Sequence, residues 1–387
     1  MKKLLLVCSI VFNLGLLFYF KYTNFFVATC NELLKTHYNP LNILLPVGIS
    51  FYTFENLSYT IDVYRGHFVP VKKFTDYLLF LSFFPKLVMG PIVRASDFIP
   101  QINKPYNISE NDFAKGFYLI VSGLFKKLII SDFITQNFVD YIFDDPSRYT
   151  GLECLFAVYG YAVVIYCDFS GYSDVAIGIA KWLGFTIPPN FKSPYQSKNI
   201  TEFWRRWHIS LSSWLRDYLY IPLGGNRKGV VRTYINLMLT MLLGGLWHGA
   251  SWNFIVWGGL HGVALAFHKI WKQKTEKLFK PVENSVFINA LSILITFHFV
   301  CFCWIFFKSA DFSIAGDMIH QILHDFDFSV WGAFFNNYKP VLALMLLAYL
   351  LHSIPDDFAD RVIGRFKKLP LVYYLGVFFV FVLLLLL

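Results

Sequence analysis

Apolar runs of near-spanning length recur from one end of this chain to the other. A helix needs roughly 20 apolar residues to cross about 30 Å of hydrocarbon. Only 15% of the 387 residues are charged and 56% are hydrophobic, whereas soluble domains carry roughly 25% charged residues. The chain is therefore predicted to cross a membrane several times, with candidate segments at residues 4–20, 41–59, 74–93, 117–138, 152–167, 234–247, 252–267, 286–307, 341–351 and 371–387.

Glycine and proline interrupt some of these segments, as Phe84-Pro85 and Met89-Gly90-Pro91 do. Irregular backbone at membrane depth is tolerated only inside protein or beside a watery cavity, so re-entrant segments are expected. The predicted fold class is an all-α integral membrane protein, with about eight to eleven transmembrane or re-entrant helices around a central pore. No internal repeat or polar linker divides the chain, and residues 1–387 are predicted to form one membrane-embedded domain.

Charge in the loops predicts the orientation of the second half. Basic loops face the cytoplasm in multi-span membrane proteins. Residues 181–232, 269–280 and 361–368 are basic and are expected on that side, while the acidic residues 140–145 and 311–327 are expected outside.

The first hundred residues do not follow this rule. Arg65, Lys72 and Lys73 precede one apolar segment, while Arg94 and Lys104 follow it. The topology of this region therefore stays open on sequence grounds.

The net charge of +9 does not predict nucleic-acid binding, because Lys and Arg lie in short patches between apolar runs. The cysteines form no zinc-type CxxC pair, so free thiols are expected. His320 and His324 have metal-ligand spacing on a helix, but a solvated outer helix explains them as well. No metal site is predicted.

Residues 201–218, TEFWRRWHISLSSWLRDY, mix tryptophans with arginines at helical spacing. Such a segment lies at the membrane interface or lines a polar pore. A surface-lying anchor helix with an aromatic belt is the alternative. The glycine-rich basic turn that follows at residues 223–229 would suit phosphates, although such turns are usually only turns.

His248 stands between two apolar runs, in the sequence WHGASWN at residues 247–253. A histidine at such a position is costly unless it is solvated or paired, so it is a functional-site hypothesis. A histidine hydrogen-bonded between helices is the structural alternative. Because the basic segments on either side of this hairpin should share the cytoplasmic face, His248 is expected at the far end of the hairpin or deep within it, within reach from outside.

Three motifs make the pattern specific: FWRRWHIS (203–210), YIPLGGNR (220–227) and GGLWHGA (244–250). They resemble the signature of the membrane-bound O-acyltransferase family, and most of all its alginate O-acetyltransferase branch. Five further segments resemble the same branch and occur in the same order along the chain: PVGISFYTF (46–54), YTIDVYR (59–65), MGPIVR (89–94), YCDFSGYSD (166–174) and WIFFK (304–308). The resemblance extends over roughly residues 4–310, with a signature core at about 41–310.

The resemblance implies roles for individual residues. His248 corresponds to the membrane histidine of the family and is predicted to be the general base, because imidazole takes up a proton near the working pH. His208 is the second histidine and is predicted to orient the acyl donor or the acceptor. The predicted substrate- or donor-binding residues are Trp204, Arg205, Arg206, Trp207, Asp168, Ser170, Asp174 and Asn253. The carboxylates among them are pore-lining groups or, equally well, helix caps and ion-pair partners.

The implied function is transfer of acetyl groups from a cytoplasmic donor across the membrane, for O-acetylation of an envelope or exported polysaccharide. Acetyl-CoA or a carrier-bound acyl group is the expected donor, and no tightly bound cofactor is expected. The expected partners are the lipid bilayer, a periplasmic acyltransferase protein and the polysaccharide acceptor, in the bacterial cytoplasmic (inner) membrane. Two alternatives stay open: transfer of D-alanine to teichoic acid, and a transporter with a His/Asp proton relay.

Overall fold

The computed structural model describes residues 1–278, 285–355 and 357–386. All regular structure in these residues is helical, and no strand occurs among them. A helix satisfies its backbone hydrogen bonds internally, which is what a bilayer demands of a spanning segment. The predicted all-α fold class is therefore confirmed.

The first nine helices are α1 Lys2–Leu34, α2 Ile49–Arg65, α3 Phe74–Ser82, α4 Ala95–Ile102, α5 Glu110–Leu124, α6 Asp132–Ile134, α7 Asp140–Asp144, α8 Gly151–Trp182 and α9 Ile200–Arg206. The others are α10 Ile209–Leu215, α11 Val230–His248, α12 Trp252–Leu278, α13 Val286–Lys308, α14 Phe312–His324, α15 Trp331–Asn337, α16 Lys339–His352, α17 Asp357–Phe366 and α18 Leu371–Leu386. The π-helical segments Phe125–Ser131 and Thr135–Val139 join α5, α6 and α7 into one helical path, and a third, Arg216–Tyr220, extends α10.

Four helices of the described chain are long and apolar enough to cross a membrane, namely α1, α8, α11 and α13. A fifth span results if α15 and α16, which are bent by 83°, are counted together. The predicted total of about eight to eleven segments is reached only when shorter, π-interrupted and re-entrant helices are included.

The acidic segments lie together at one end of the helical body, called here the acidic end. Lys308, at the end of α13, pairs with Asp140 at 2.6 Å. The backbone N–H of Gly151, at the start of α8, donates to the carbonyl of Asp325 at 3.0 Å. The two stretches expected outside, residues 140–145 and 311–327, therefore lie at the same end of the molecule.

The basic segments lie at the opposite, basic end. Helix α12 leads away from the acidic end, and His268 near its far end shares a hydrogen bond of 2.8 Å with Thr201 of α9. Helix α16 likewise leads to His352, whose Nε2 accepts from the backbone N–H of Tyr195 at 3.0 Å. The predicted basic loop 269–280 is helical as far as residue 278, and its last two residues lie outside the described residues.

The structure brings Arg65 and Arg94, which flank the third apolar segment, to the same residue. Arg65 donates to the carbonyl oxygen of Asp217 at 3.4 Å, and Arg94 pairs with the carboxylate of the same residue at 3.5 Å. The chain between these arginines therefore enters and leaves from one end, and its tip reaches inward as far as Met89. This path fits the predicted re-entrant segment, and it accounts for the basic residues that flank the segment on both sides.

A buried ion pair fixes the re-entrant segment. The Lys86 ammonium donates to the Glu55 carboxylate of α2, and the two side chains are only 1% and 3% exposed. The other carboxylate oxygen of Glu55 accepts from the backbone N–H of Val93 at 3.1 Å. Burial of charge is tolerated when each charge is paired and hydrogen-bonded, so Glu55 holds both the tip of the segment and its return path.

Glycines bring α5 and α8 into close contact. A Cβ atom on Gly171 would lie 2.6 Å from the carbonyl oxygen of Gly123, and one on Gly178 would lie 2.7 Å from the carbonyl oxygen of Gly116. Real Cβ atoms essentially never come closer than 3.0 Å. Only glycine therefore permits this approach, which positions the polar face of α8 against the lysines that follow α5.

Cysteine labelling should confirm the two ends. In a variant in which the exposed Cys8 and Cys30 are replaced by serine, Lys73→Cys and Lys104→Cys should react with an impermeant maleimide from the same side as Arg365→Cys. Asp327→Cys should react from the other side. Reaction of Lys73→Cys from the side of Asp327→Cys would contradict the re-entrant path.

Loss of the buried lysine should destabilise the protein. Lys86→Met leaves the Glu55 carboxylate buried without its partner, which typically costs about 3–5 kcal/mol. The double variant Glu55→Gln/Lys86→Met should unfold at a higher temperature than Lys86→Met alone, because the amide oxygen still accepts from Val93. Thermal unfolding in detergent measures both, and a double variant less stable than the single one would argue against the pairing.

Candidate active site

The two predicted histidines, His208 and His248, face one cavity of about 300 Å³. The centroids of their imidazole rings are 6.3 Å apart. The other residues lining this histidine cavity are Lys21, Ser50, Phe51, Met89, Tyr161, Ile165, Asp168, Phe169, Trp207, Trp247, Trp257, Trp304 and Phe307. The lining is mainly aromatic, with a few polar groups, as is usual for a small-molecule site.

His208 lies at a break between α9 and α10. Its backbone is in the left-handed conformation, with φ of 42°, which is uncommon for a residue other than glycine. Asn190 supports the turn, since its carbonyl accepts from the N–H of Ile209 at 2.9 Å and its side chain accepts from Ser210 at 3.3 Å. Neither ring nitrogen of His208 has a hydrogen-bond partner in the described structure, although both are buried.

The break decides between the two interpretations of residues 201–218. Trp207 and His208 are 2% and 0% exposed, so the segment is not a surface-lying anchor helix. It enters the core and supplies part of the cavity wall.

His248 is the last residue of α11. Its half-buried ring lies 5.1 Å from that of Trp247, 5.2 Å from that of Trp257 and 5.2 Å from that of Phe307, measured between centroids. Within the described structure no protein group hydrogen-bonds this ring, so the alternative of a histidine hydrogen-bonded between helices does not hold. A neutral imidazole placed in this way keeps one nitrogen as an acceptor for a substrate hydroxyl.

Asp168 is the predicted carboxylate that shares the cavity with the histidines. It is paired with Lys127 at 2.5 Å, and the same lysine pairs with Asp132 at 2.8 Å. Both proposed roles of Asp168 therefore apply, since it lines the cavity and is an ion-pair partner. Sequence reasoning missed Lys127, which belongs to the π-helical segment after α5.

Ser170 and Asp174 line a second cavity of about 530 Å³ and not the histidine cavity. Asp174 is paired there with Lys126. The two cavities lie on different faces of α8, so the common pore predicted for all three polar residues includes only Asp168.

The remaining predicted residues have different surroundings. Trp207 lines the histidine cavity, and Trp204 donates to the ring of His261 at 3.3 Å behind that wall. Arg205 is exposed at the basic end, and Arg206 pairs with Glu202 of the same helix at 2.7 Å.

Asn253 has a structural contact. Its side-chain amide donates to the carbonyl of Ser309 at 2.9 Å, which ties the α11–α12 turn to the end of α13. It does not line the histidine cavity.

Several cavity residues were not predicted. Ser50, Met89, Trp304 and Phe307 lie within the motifs that carried the resemblance, so the motifs contained the signal. Lys21, in α1, lies outside those motifs. The only sequence feature that pointed to it is its position as a single lysine directly after an apolar run.

Residues 70–309, more than half of the chain and including both histidines, match the model of the membrane-bound O-acyltransferase family, MBOAT. The chain belongs to this family and is a membrane protein with several apolar helices.

The chain is also similar to individual proteins with known names. The chain is 39% identical to the peptidoglycan O-acetyltransferase of Helicobacter pylori, over 81% of this chain and 63% of the relative. It is 41% identical to a Pseudomonas aeruginosa protein named probable alginate O-acetylase AlgI, over 89% of this chain and 65% of the relative. It is 31% identical to the teichoic acid D-alanyltransferase of Bacillus subtilis, over 72% of each. The chain thus spans slightly less than two thirds of the length of the first two relatives.

Proposed function

We propose that this chain is a membrane O-acyltransferase of the bacterial inner membrane, which passes acetyl groups from a cytoplasmic donor to hydroxyls of an envelope or exported polysaccharide. The observation that carries the proposal is the pair of imidazoles of His208 and His248, whose ring centroids are 6.3 Å apart in one cavity within the family-matched region and which hydrogen-bond no protein group among the described residues. Relatives named as O-acetyltransferases at about 40% identity support the choice of acetyl as the group transferred.

The chemistry follows from the groups in the cavity. His248 removes the proton of the attacking hydroxyl, and the hydroxyl oxygen forms a bond to the acetyl carbonyl carbon. The bond from that carbon to the sulfur of acetyl-CoA, or of a carrier-bound thioester, then breaks. The proton returns from His248 to the thiolate, so atoms and charge balance without a tightly bound cofactor. His208 hydrogen-bonds the donor or the acceptor from the opposite wall.

The two ends of the molecule supply the direction of transfer. The donor enters from the basic end, which we assign to the cytoplasm. The acceptor approaches from the acidic end, where α11 ends at His248. The acceptor is the polysaccharide itself or a periplasmic acyltransferase partner that passes the acetyl group on.

D-alanyl transfer to teichoic acid is a second candidate, favoured by the 31% identity to the Bacillus subtilis enzyme. Mild base releases both ester-linked groups from cell-envelope extracts, so one experiment separates the candidates. Deletion of the gene should abolish released acetate and leave released D-alanine unchanged. The opposite result would favour the second candidate, and no change in either ester would favour a transporter.

Replacement of His248 should abolish acetylation. His248→Ala and His248→Gln should each lose at least about a hundredfold in activity, because general bases contribute roughly 10²–10⁴-fold. Glutamine keeps some volume and hydrogen bonding but takes up no proton near neutral pH. Envelope acetate at equal membrane abundance is the measurement.

The matched control is His324→Gln, the same change at an exposed residue of α14, which should leave acetylation unchanged. Near-normal acetylation by His248→Gln would show that His248 is not the base. His208 would then become the leading candidate.

Replacement of the two arginines at the basic end should impair the proposed donor site. Arg205→Ala and Arg206→Ala should lower acetylation by about tenfold, since a hydrogen bond to a charged group contributes about 1.5–3 kcal/mol. Arg365→Ala, a change of the same kind at an exposed site in α17, should have little effect. Equal activities of the three variants at matched abundance would remove the arginines from the proposed donor site.

A further inference from the structure

The helix that carries His248 ends without a backbone cap of its own. The last four carbonyls of an α-helix lack partners within the helix. A glycine cap satisfies them when the residue after the helix is left-handed. Gly249 is instead extended, with φ of −163° and ψ of 155°. The carbonyls at this end therefore need partners from elsewhere in the protein.

Helix α1 supplies two such partners from adjacent residues. The Lys21 ammonium donates to the carbonyl of Trp247, and the Tyr22 hydroxyl donates to the carbonyl of Leu246 at 2.7 Å. A cation at a helix C-terminus also interacts favourably with the helix dipole. The end of α11 is thus capped by side chains of another helix.

Lys21 connects a third helix at the same point. Its ammonium donates to the hydroxyl of Ser50, in the first turn of α2, at 3.1 Å. It also lies 5.7 Å from the ring centroid of Trp247, whose indole N–H donates to the Ser50 carbonyl at 3.4 Å. Helices α1, α2 and α11 therefore meet at Lys21. The α11 residue that Lys21 binds, Trp247, immediately precedes His248.

We propose that Lys21 is a positioning residue for acyl transfer, and that its bond to the Trp247 carbonyl holds the end of α11 so that His248 faces the cavity. The proposal rests on the proposed function and deepens it. Lys21 lies outside the family-matched residues 70–309, so α1 contributes to the site although the matched region does not include it.

The expected signature is kinetic. A displacement of about 1 Å at a reacting group costs on the order of a hundredfold in rate. Lys21 lines the histidine cavity, but the proposed role runs through its bond to the Trp247 carbonyl and not through the substrate. Lys21→Met should therefore lower kcat by about tenfold or more while leaving KM nearly unchanged.

The experiment uses membranes containing the full chain, with labelled acetyl-CoA and an extract of envelope polysaccharide. Three variants are compared at equal abundance, with melting temperatures measured in detergent. Lys21→Met should lose kcat, and Lys21→Arg should restore most of it, because the guanidinium still donates to a carbonyl.

Asn13→Leu is the matched control, because it also breaks a buried polar contact between α1 and α2. Asn13 accepts from Asn56 at 2.8 Å and lies away from the histidine cavity. It should lower the melting temperature at least as much as Lys21→Met and leave kcat unchanged.

Each contrary outcome has a separate meaning. A raised KM at unchanged kcat in Lys21→Met would overturn the positioning role, because Lys21 would then bind substrate directly. Equal losses of kcat in Lys21→Met and Asn13→Leu would show that Lys21 contributes only general packing and does not position His248. Full activity of Lys21→Met would refute the positioning role. These results are distinct from failure of the proposed function, in which the unaltered protein itself would transfer no acetyl group.

Discussion

A peptide group at membrane depth has no water to bond, and this constraint determines both the fold and the place of its site. Where the helices are regular, the backbone satisfies itself. Where they stop, side chains must supply the partners, as Glu55 does for Val93 and Lys21 does for Trp247. His208 and His248 both occupy helix ends. The cavity therefore forms where regular backbone is interrupted, and Lys21, which satisfies the backbone there, lines the same cavity as the two histidines.

The sequence predicted the helical membrane fold, the re-entrant segment and the histidine pair, because apolar runs, proline breaks and a tryptophan-flanked histidine are local signals. It did not predict the break at His208. Helical periodicity reports which face of a segment is apolar, not where the segment turns. Residues 201–218 were therefore predicted as one segment at the interface or lining a polar pore, whereas the backbone enters the left-handed region at His208, which is buried.

Pairings between distant segments were also beyond the sequence. Asp168 and Asp174 are six residues apart on α8, a spacing that places them on different faces of a helix, and the adjacent Lys126 and Lys127 pair with one each. The side chains of these two neighbouring lysines reach different carboxylates because they lie on a π-helical segment. The close approach of Gly123 and Gly171 holds that segment against α8. Such a contact depends on backbone separation, which no residue pattern specifies. The path between Arg65 and Arg94 was open for the same reason, because no residue pattern shows that both arginines contact Asp217.

The separation of charge along the molecule supports the direction proposed for transfer. Basic segments lie at one end and acidic segments at the other, and the histidine cavity is reached by helices from both. In the proposed function, a base at a helix end between these two environments would meet a donor from one side of the membrane and an acceptor from the other. If the two imidazoles lay at one surface, acyl transfer would be confined to that side of the bilayer. His208 is instead fully buried and His248 half-buried, beside the rings of Trp247 and Trp257. In the proposed reaction this aromatic lining would limit access of bulk water, so that a hydroxyl acceptor would compete with little hydrolysis.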